Sequence, residues 1–143
     1  MYIKQIILTT IASVLIAFLV AYTFNFILFA DIFEAMGTNT RKEPIVALAI
    51  VAKIIYGIVL AYLYPYFYKK GDHPVVQGIK FSLIIEAVAY AFNGFVIAAK
   101  YNVDPILTYL VLIFILHVIL AVFTGIPMGL IFGEIEKKDS YSE

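Results

Sequence analysis

The chain of 143 residues has no cysteine and no tryptophan, and only 14% of it is charged. Without cysteine there can be no disulfide framework, no thiolate metal site and no cysteine nucleophile. The ten basic and ten acidic residues cancel, which leaves no basic face of the kind that holds a nucleic acid. No motif names an activity. What is abundant is apolar: 64% of residues are hydrophobic and the mean hydropathy is +0.99, against about 45–50% apolar and about 25% charged in ordinary soluble domains. Such a chain cannot cover itself with polar surface, so the sequence predicts an integral membrane protein. With no tryptophan, any aromatic belt must come from the eleven tyrosines and twelve phenylalanines.

Four apolar runs stand out, at about 6–29, 44–67, 78–99 and 106–132. A hydrocarbon core of about 30 Å needs about 20 helical residues, so each run can cross once. Membrane strands would be about 10 residues long with alternating polarity; these runs are too long and too uniform. The expected fold is all-α: one domain, residues 1–143, of four transmembrane helices in an up-down antiparallel bundle. The first run follows Lys4 but is about twice the length of a signal-peptide core. Phe26, Ile27, Leu28 and Phe29 stand where small cleavage-site residues would be needed, so it is read as an uncleaved membrane helix. Pro44 suits a first helical turn, Gly71-Asp72-His73-Pro74 forms a turn, and Asp104 before Pro105 is a candidate cap. Residues 134–143 form a polar tail expected to fray. No low-complexity tract or repeat stands out.

Lysine and arginine counts set the expected orientation. With the N-terminus inside, the inner side holds Lys4, Lys69, Lys70, Lys80, Lys137 and Lys138, and the outer side Arg41, Lys42 and Lys100. Both termini are expected in the cytoplasm, with the protein in the cell inner membrane.

Three ionisable residues lie deep in the runs: Lys53, Glu86 and His117. A charge at that depth costs about 2.5–3.5 kcal/mol on insertion scales. At about 1.5 Å per residue, all three fall within one helical turn of a common plane. A Lys53–Glu86 ion pair is expected, with His117 hydrogen-bonded to Glu86. Glu86, Tyr90 and Asn93 share one face of the third helix by their spacing, so Lys53, Glu86, His117, Tyr90 and Asn93 form a candidate polar cluster. It can be an internal clamp that fixes helix pairing, or a proton, ion or solute site. The only other histidine, His73, is in a loop, so no haem, metal or other cofactor is expected, and no catalytic triad is legible.

Gly125, Gly129 and Gly133 make two G-x-x-x-G steps in the fourth helix. Small residues at this spacing let helix backbones approach closely, either inside the bundle or against a partner or second copy. Pro127 within the run is expected to kink it. Tyr64, Tyr66 and Tyr68, next to Lys69 and Lys70, read as anchors at the lipid headgroups.

The segment from Leu28 to Ala35 (Leu-Phe-Ala-Asp-Ile-Phe-Glu-Ala) followed by Gly37, the stretch Ile55–Leu63, the Gly78-Ile79-Lys80 opening of the third run and the glycine-rich end of the fourth together resemble a loosely defined group of small bacterial four-helix membrane proteins of unknown function. The resemblance covers most of the chain. It implies a bacterial four-helix fold and supplies no activity. The expected function is therefore non-enzymatic: an accessory or scaffold subunit working with other membrane subunits or further copies of itself in the bilayer. The alternative is a small transporter or proton-conducting protein using Lys53, Glu86 and His117.

Overall fold

A computed structural model describes residues 3–37, 45–69 and 71–140, with side chains of the last helix described to Gly133. The described residues are mostly helical, with no strand among them. The elements are α1 (Ile3–Tyr22), a π-helical turn (Thr23–Leu28), α2 (Ala30–Ala35), α3 (Val46–Phe67), α4 (Pro74–Tyr90), a second π-helical turn (Ala91–Val96), α5 (Ile97–Lys100) and α6 (Ile106–Ser140). Four stretches are long and apolar enough to cross a membrane: Ile3–Leu28, Val46–Phe67, Pro74–Lys100 and Ile106–Gly133. Their outward residues are large and apolar, such as Leu19, Leu48, Val88 and Leu107, as lipid contact requires.

Several expected boundaries shift. The first helix begins at Ile3, and the third at Pro74 instead of Gly78, because proline suits the first turn, where its missing N–H costs nothing. Residues 134–140 continue α6 instead of fraying; glutamate and lysine are good helix formers that extend an established helix. The helix runs unbroken through Pro127. Pro44, Arg41, Lys42 and Lys70 lie outside the described residues.

α4 and α6 form the most intimate pair, followed by α1 with α3 and α1 with α6; α3 touches α4 only sparsely. The cause of the first pairing is a seam of small residues. A Cβ on Gly78 would lie 2.1 Å from the Gly125 carbonyl oxygen, one on Gly129 2.3 Å from the Pro74 carbonyl oxygen, and one on Gly133 2.7 Å from the Pro74 ring. The three glycines of α6 therefore pack within the chain, against Pro74 and Gly78 of α4, and not against a partner or second copy. Two apolar clusters flank the seam. One joins Ala17, Phe24 and Phe33 to Tyr109, Leu112, Ile113, Leu116 and Leu120 of α6. The other joins Leu60 and Tyr64 to Phe81, Met128 and Phe132.

Tyr64 corrects an expectation. It is fully buried, its ring 5.5 Å from Phe81 and 5.1 Å from Phe132, so it belongs to the core and is no headgroup anchor. The inward face of α3 (Gly57, Leu60, Ala61, Tyr64) carries it in by helical spacing. Tyr66 is 79% exposed, Tyr68 is half-buried and Lys69 exposed. The Gln77 side chain holds the turn by accepting from the Lys69 amide (2.7 Å) and donating to its carbonyl (2.8 Å).

Candidate functional site

The α4–α6 seam advances in steps of four residues. Pro74 meets Gly129 and Gly78 meets Gly125; the next step on each helix is Ser82 and Ala121, both fully buried. The step after that is Glu86 and His117, and here the carboxylate and the imidazole Nδ1 are directly hydrogen-bonded. The seam thus sets the register of the acid and the base. Both are buried, Glu86 at 3% exposure and His117 at 6%, near the middle of their spans.

Glu86 does not pair with Lys53. Its second carboxylate oxygen accepts from the Tyr56 hydroxyl, and no Lys53–Glu86 contact falls within 4.0 Å among the described residues. Tyr56, one turn further along α3, reaches the carboxylate first. The Lys53 ammonium lies 5.9 Å from the centre of the Tyr56 ring, so the lysine stands behind the tyrosine instead of on the acid. Tyr56 carried no signal of its own in the sequence, because tyrosine is common in these spans.

On the far side of His117, Nε2 lies 3.4 Å from the Asn93 amide nitrogen. Asn93 sits in the π-helical turn Ala91–Val96, and its backbone carbonyl accepts from the Tyr109 hydroxyl at 2.7 Å. A π-turn disturbs the regular ladder of helical hydrogen bonds, and a side-chain donor there satisfies a carbonyl in an apolar setting. Tyr90 contributes its ring: it meets His117 at 6.1 Å edge to face and also packs on Phe95 and Phe114. The result is one hydrogen-bonded line, Tyr56–Glu86–His117–Asn93, drawn from α3, α4, α6 and the π-turn. Of the five residues expected in the cluster, Glu86, His117 and Asn93 are joined by hydrogen bonds, Tyr90 by ring contact, and Lys53 lies at the edge.

The proton inventory of the line is constrained. An amide nitrogen only donates, so with Asn93 placed this way Nε2 is the bare nitrogen and Nδ1 carries the proton toward Glu86. Rotating the Asn93 amide would present its oxygen instead and would suit an imidazolium; the assignment follows from the hydrogen-bond pattern. Among the described residues no group of three or more His, Asp or Glu side chains could hold a metal. No family model, curated protein or solved structure matches the chain.

Proposed function

We propose that this is a non-enzymatic multi-pass protein of the inner membrane, crossing in up-down order with both termini cytoplasmic, whose Tyr56–Glu86–His117–Asn93 line takes up and releases a proton. The observation that carries this reading is the direct hydrogen bond between Glu86 and His117 in the buried middle of two spans. Ionisable groups at that depth are costly and mark proton and ion sites far more often than surface ones do. Both ends of the line tolerate either state. Tyr56 can donate to the carboxylate, and Asn93 can offer nitrogen to a neutral ring or oxygen to a protonated one. A proton can therefore be added without breaking the line. The groups facing it are Tyr56 and, behind it, Lys53 from α3, Tyr90 from its own span, and Tyr109 of α6 through Asn93. The inward face of α1 offers Thr9, Ser13 and Ala17 and no charge.

The test uses the fact that the chain has two histidines. In His73→Gln protein held in lipid nanodiscs, nitrogen NMR of the labelled ring reports His117 alone. Its ring shifts should respond to pH, and Glu86→Gln should change that response. A ring that keeps one state, indifferent to both pH and Glu86→Gln, would refute the reading.

A second reading, an accessory or scaffold subunit of a larger membrane complex, draws support from Lys53. Its ammonium has no carboxylate within 4.0 Å among the described residues, and it lies on a stretch, Ile45–Ile55, whose other residues are exposed. A carboxylate on a neighbouring membrane subunit or second copy would complete it. Native-membrane purification should then recover that subunit with the wild type and lose it with Lys53→Met; equal recovery would count against this reading.

A further inference from the structure

The two π-helical turns are each six residues long and lie 68 residues apart, Thr23–Leu28 and Ala91–Val96. Adding 68 throughout brings matching residues together. From Ile11 to Asn25, eight of fifteen positions are identical: Ile11/Ile79, Leu15/Leu83, Ile16/Ile84, Val20/Val88, Ala21/Ala89, Tyr22/Tyr90, Phe24/Phe92 and Asn25/Asn93. Without a gap, the same offset aligns Gly57-Ile58 with Gly125-Ile126 and Lys69-Lys70 with Lys137-Lys138. Apolar identities arise easily in membrane helices, which is why the repeat is not evident by eye. The shared Ala-Tyr-x-Phe-Asn string at the same backbone distortion is not explained by composition.

The packing repeats with the sequence. A Cβ on Gly57 would meet the backbone of Thr10 at 3.0 Å, and a Cβ on Gly125 meets the backbone of Gly78 at 2.8 Å; Thr10 and Gly78 are counterparts in the same offset. Several residues also touch their own counterparts. The Tyr64 ring lies 5.1 Å from Phe132, Leu60 and Met128 share one cluster, and the Asp104 amide donates to the Met36 carbonyl at 3.1 Å. A residue can meet its own counterpart only close to a two-fold axis. A unit of two spans returns the chain to its starting side, so the second copy has the same orientation and the axis lies along the membrane normal.

We infer that the chain is a tandem duplication of one two-span hairpin, and that the Glu86–His117 site is an addition to the second copy, on a scaffold that closes without it. The counterparts of Glu86 and His117 are Phe18 and Ala49, and that of Tyr56 is Thr124. The first hairpin closes at Gly57 and Thr10 and holds with no contact pair at the level of the site, where Phe18 is half-buried and Ala49 exposed. Asn25, the counterpart of Asn93, turns back to its own helix and donates to the Ala21 carbonyl at 2.8 Å. In the second hairpin, the half of α6 that carries His117 is held against α1 by the apolar cluster of Leu112, Ile113, Leu116 and Leu120, independently of the polar line. The site is therefore a place for chemistry and not the clasp of the fold. This inference rests on the proton-site reading for the kind of chemistry, while the duplication stands on its own observations.

The test installs the first copy's residues in the second: Glu86→Phe with His117→Ala, plus Tyr56→Phe to remove the hydroxyl that donates to Glu86. The exchange nearly conserves total side-chain volume. The full-length variant should fold, with a thermal midpoint no more than about 4 °C below wild type, and Asn93 should turn to the Ala89 carbonyl as Asn25 does to Ala21. A parallel variant with Glu86→Met in place of Phe relieves any crowding. If both variants unfold or melt far below wild type, the site is a clasp and the inference is wrong, even if wild-type His117 titrates. If both fold normally and wild-type His117 shows no titration, the scaffold inference holds and the proton reading falls.

Discussion

Gly78→Ala is the sharpest perturbation of the packing that positions the site. The added Cβ would sit 2.1 Å from the Gly125 carbonyl oxygen, 2.9 Å from the Gly129 nitrogen and 3.0 Å from its Cα. All three atoms are backbone, so no side chain can swing aside. Restoring an ordinary carbon–oxygen contact requires α4 and α6 to separate by about 1 Å, and close-packed interiors lose a quarter to a half of each contact's attraction over such a gap. Overpacking a core by one methyl group costs about 1–3 kcal/mol, occasionally more; here the obstacle is backbone on both sides, so a value at or above the upper end, about 3 kcal/mol, is expected. Gly57→Ala meets the Thr10 backbone at 3.0 Å, where a shift of the neighbour restores contact, and should cost less than Gly78→Ala. Equilibrium unfolding in mixed micelles, followed by helical circular dichroism, gives both numbers. A Gly78→Ala protein as stable as wild type, or one more stable than Gly57→Ala, would refute the seam as the determinant of helix spacing. Because the same spacing sets the Glu86–His117 hydrogen bond, Gly78→Ala should also alter the His117 ring shifts, although it lies two helical turns from the site.

Two further outcomes follow from the same geometry. In a double-mutant cycle, Glu86→Gln and His117→Leu should be coupled, since each single change leaves a buried partner unmatched, whereas Glu86→Gln and Lys53→Met should be coupled more weakly, through the Tyr56 they share; coupling of the lysine comparable to that of the histidine would place Lys53 on the acid after all. For orientation, single cysteines introduced at Thr38 and at Asp72 of this cysteine-free chain should react with an impermeant thiol reagent from outside at Thr38 only, and labelling at Asp72 alone would reverse the proposed topology.

The four long apolar helices were legible because a helix fit to cross lipid needs a long apolar run, and that run is written in composition. The common depth of Glu86 and His117 was legible because helical rise converts residue number into distance. Rotation about the helix axis is what depth does not supply. Lys53 and Tyr56 lie within one turn of each other on α3, and only the packing decides which of them faces α4. The glycines of α6 were ambiguous for a similar reason: a small-residue stripe specifies a close neighbour without naming it. Its neighbour is α4, which offers Pro74 and Gly78 at matching four-residue steps. Tyr64 was misplaced because tyrosine near lysine is common at headgroups, yet its spacing from Gly57, Leu60 and Ala61 puts it on the buried face of α3. The π-turns have no composition signal; they appear only as an Ala-Tyr-x-Phe-Asn string used twice.

The seam and the polar line answer different physical needs, and the difference bears on function. Register between α4 and α6 is already fixed by Gly78 against Gly125 and by Pro74 against Gly129 and Gly133. A slip of one residue would drive a side chain into backbone at each of these contacts. Glu86 and His117 therefore add no register information that the glycines do not supply. Nor is a buried acid–base pair an efficient source of stability, since well-packed apolar residues of similar volume are often neutral or better by about 1–4 kcal/mol. In the first hairpin the corresponding positions carry Phe18, half-buried, and Ala49, exposed, so that copy holds together with no buried pair at this level. A costly pair, placed where register does not call for it and provided with Tyr56 and Asn93 as partners on either side, is the ground on which the proposed proton site stands.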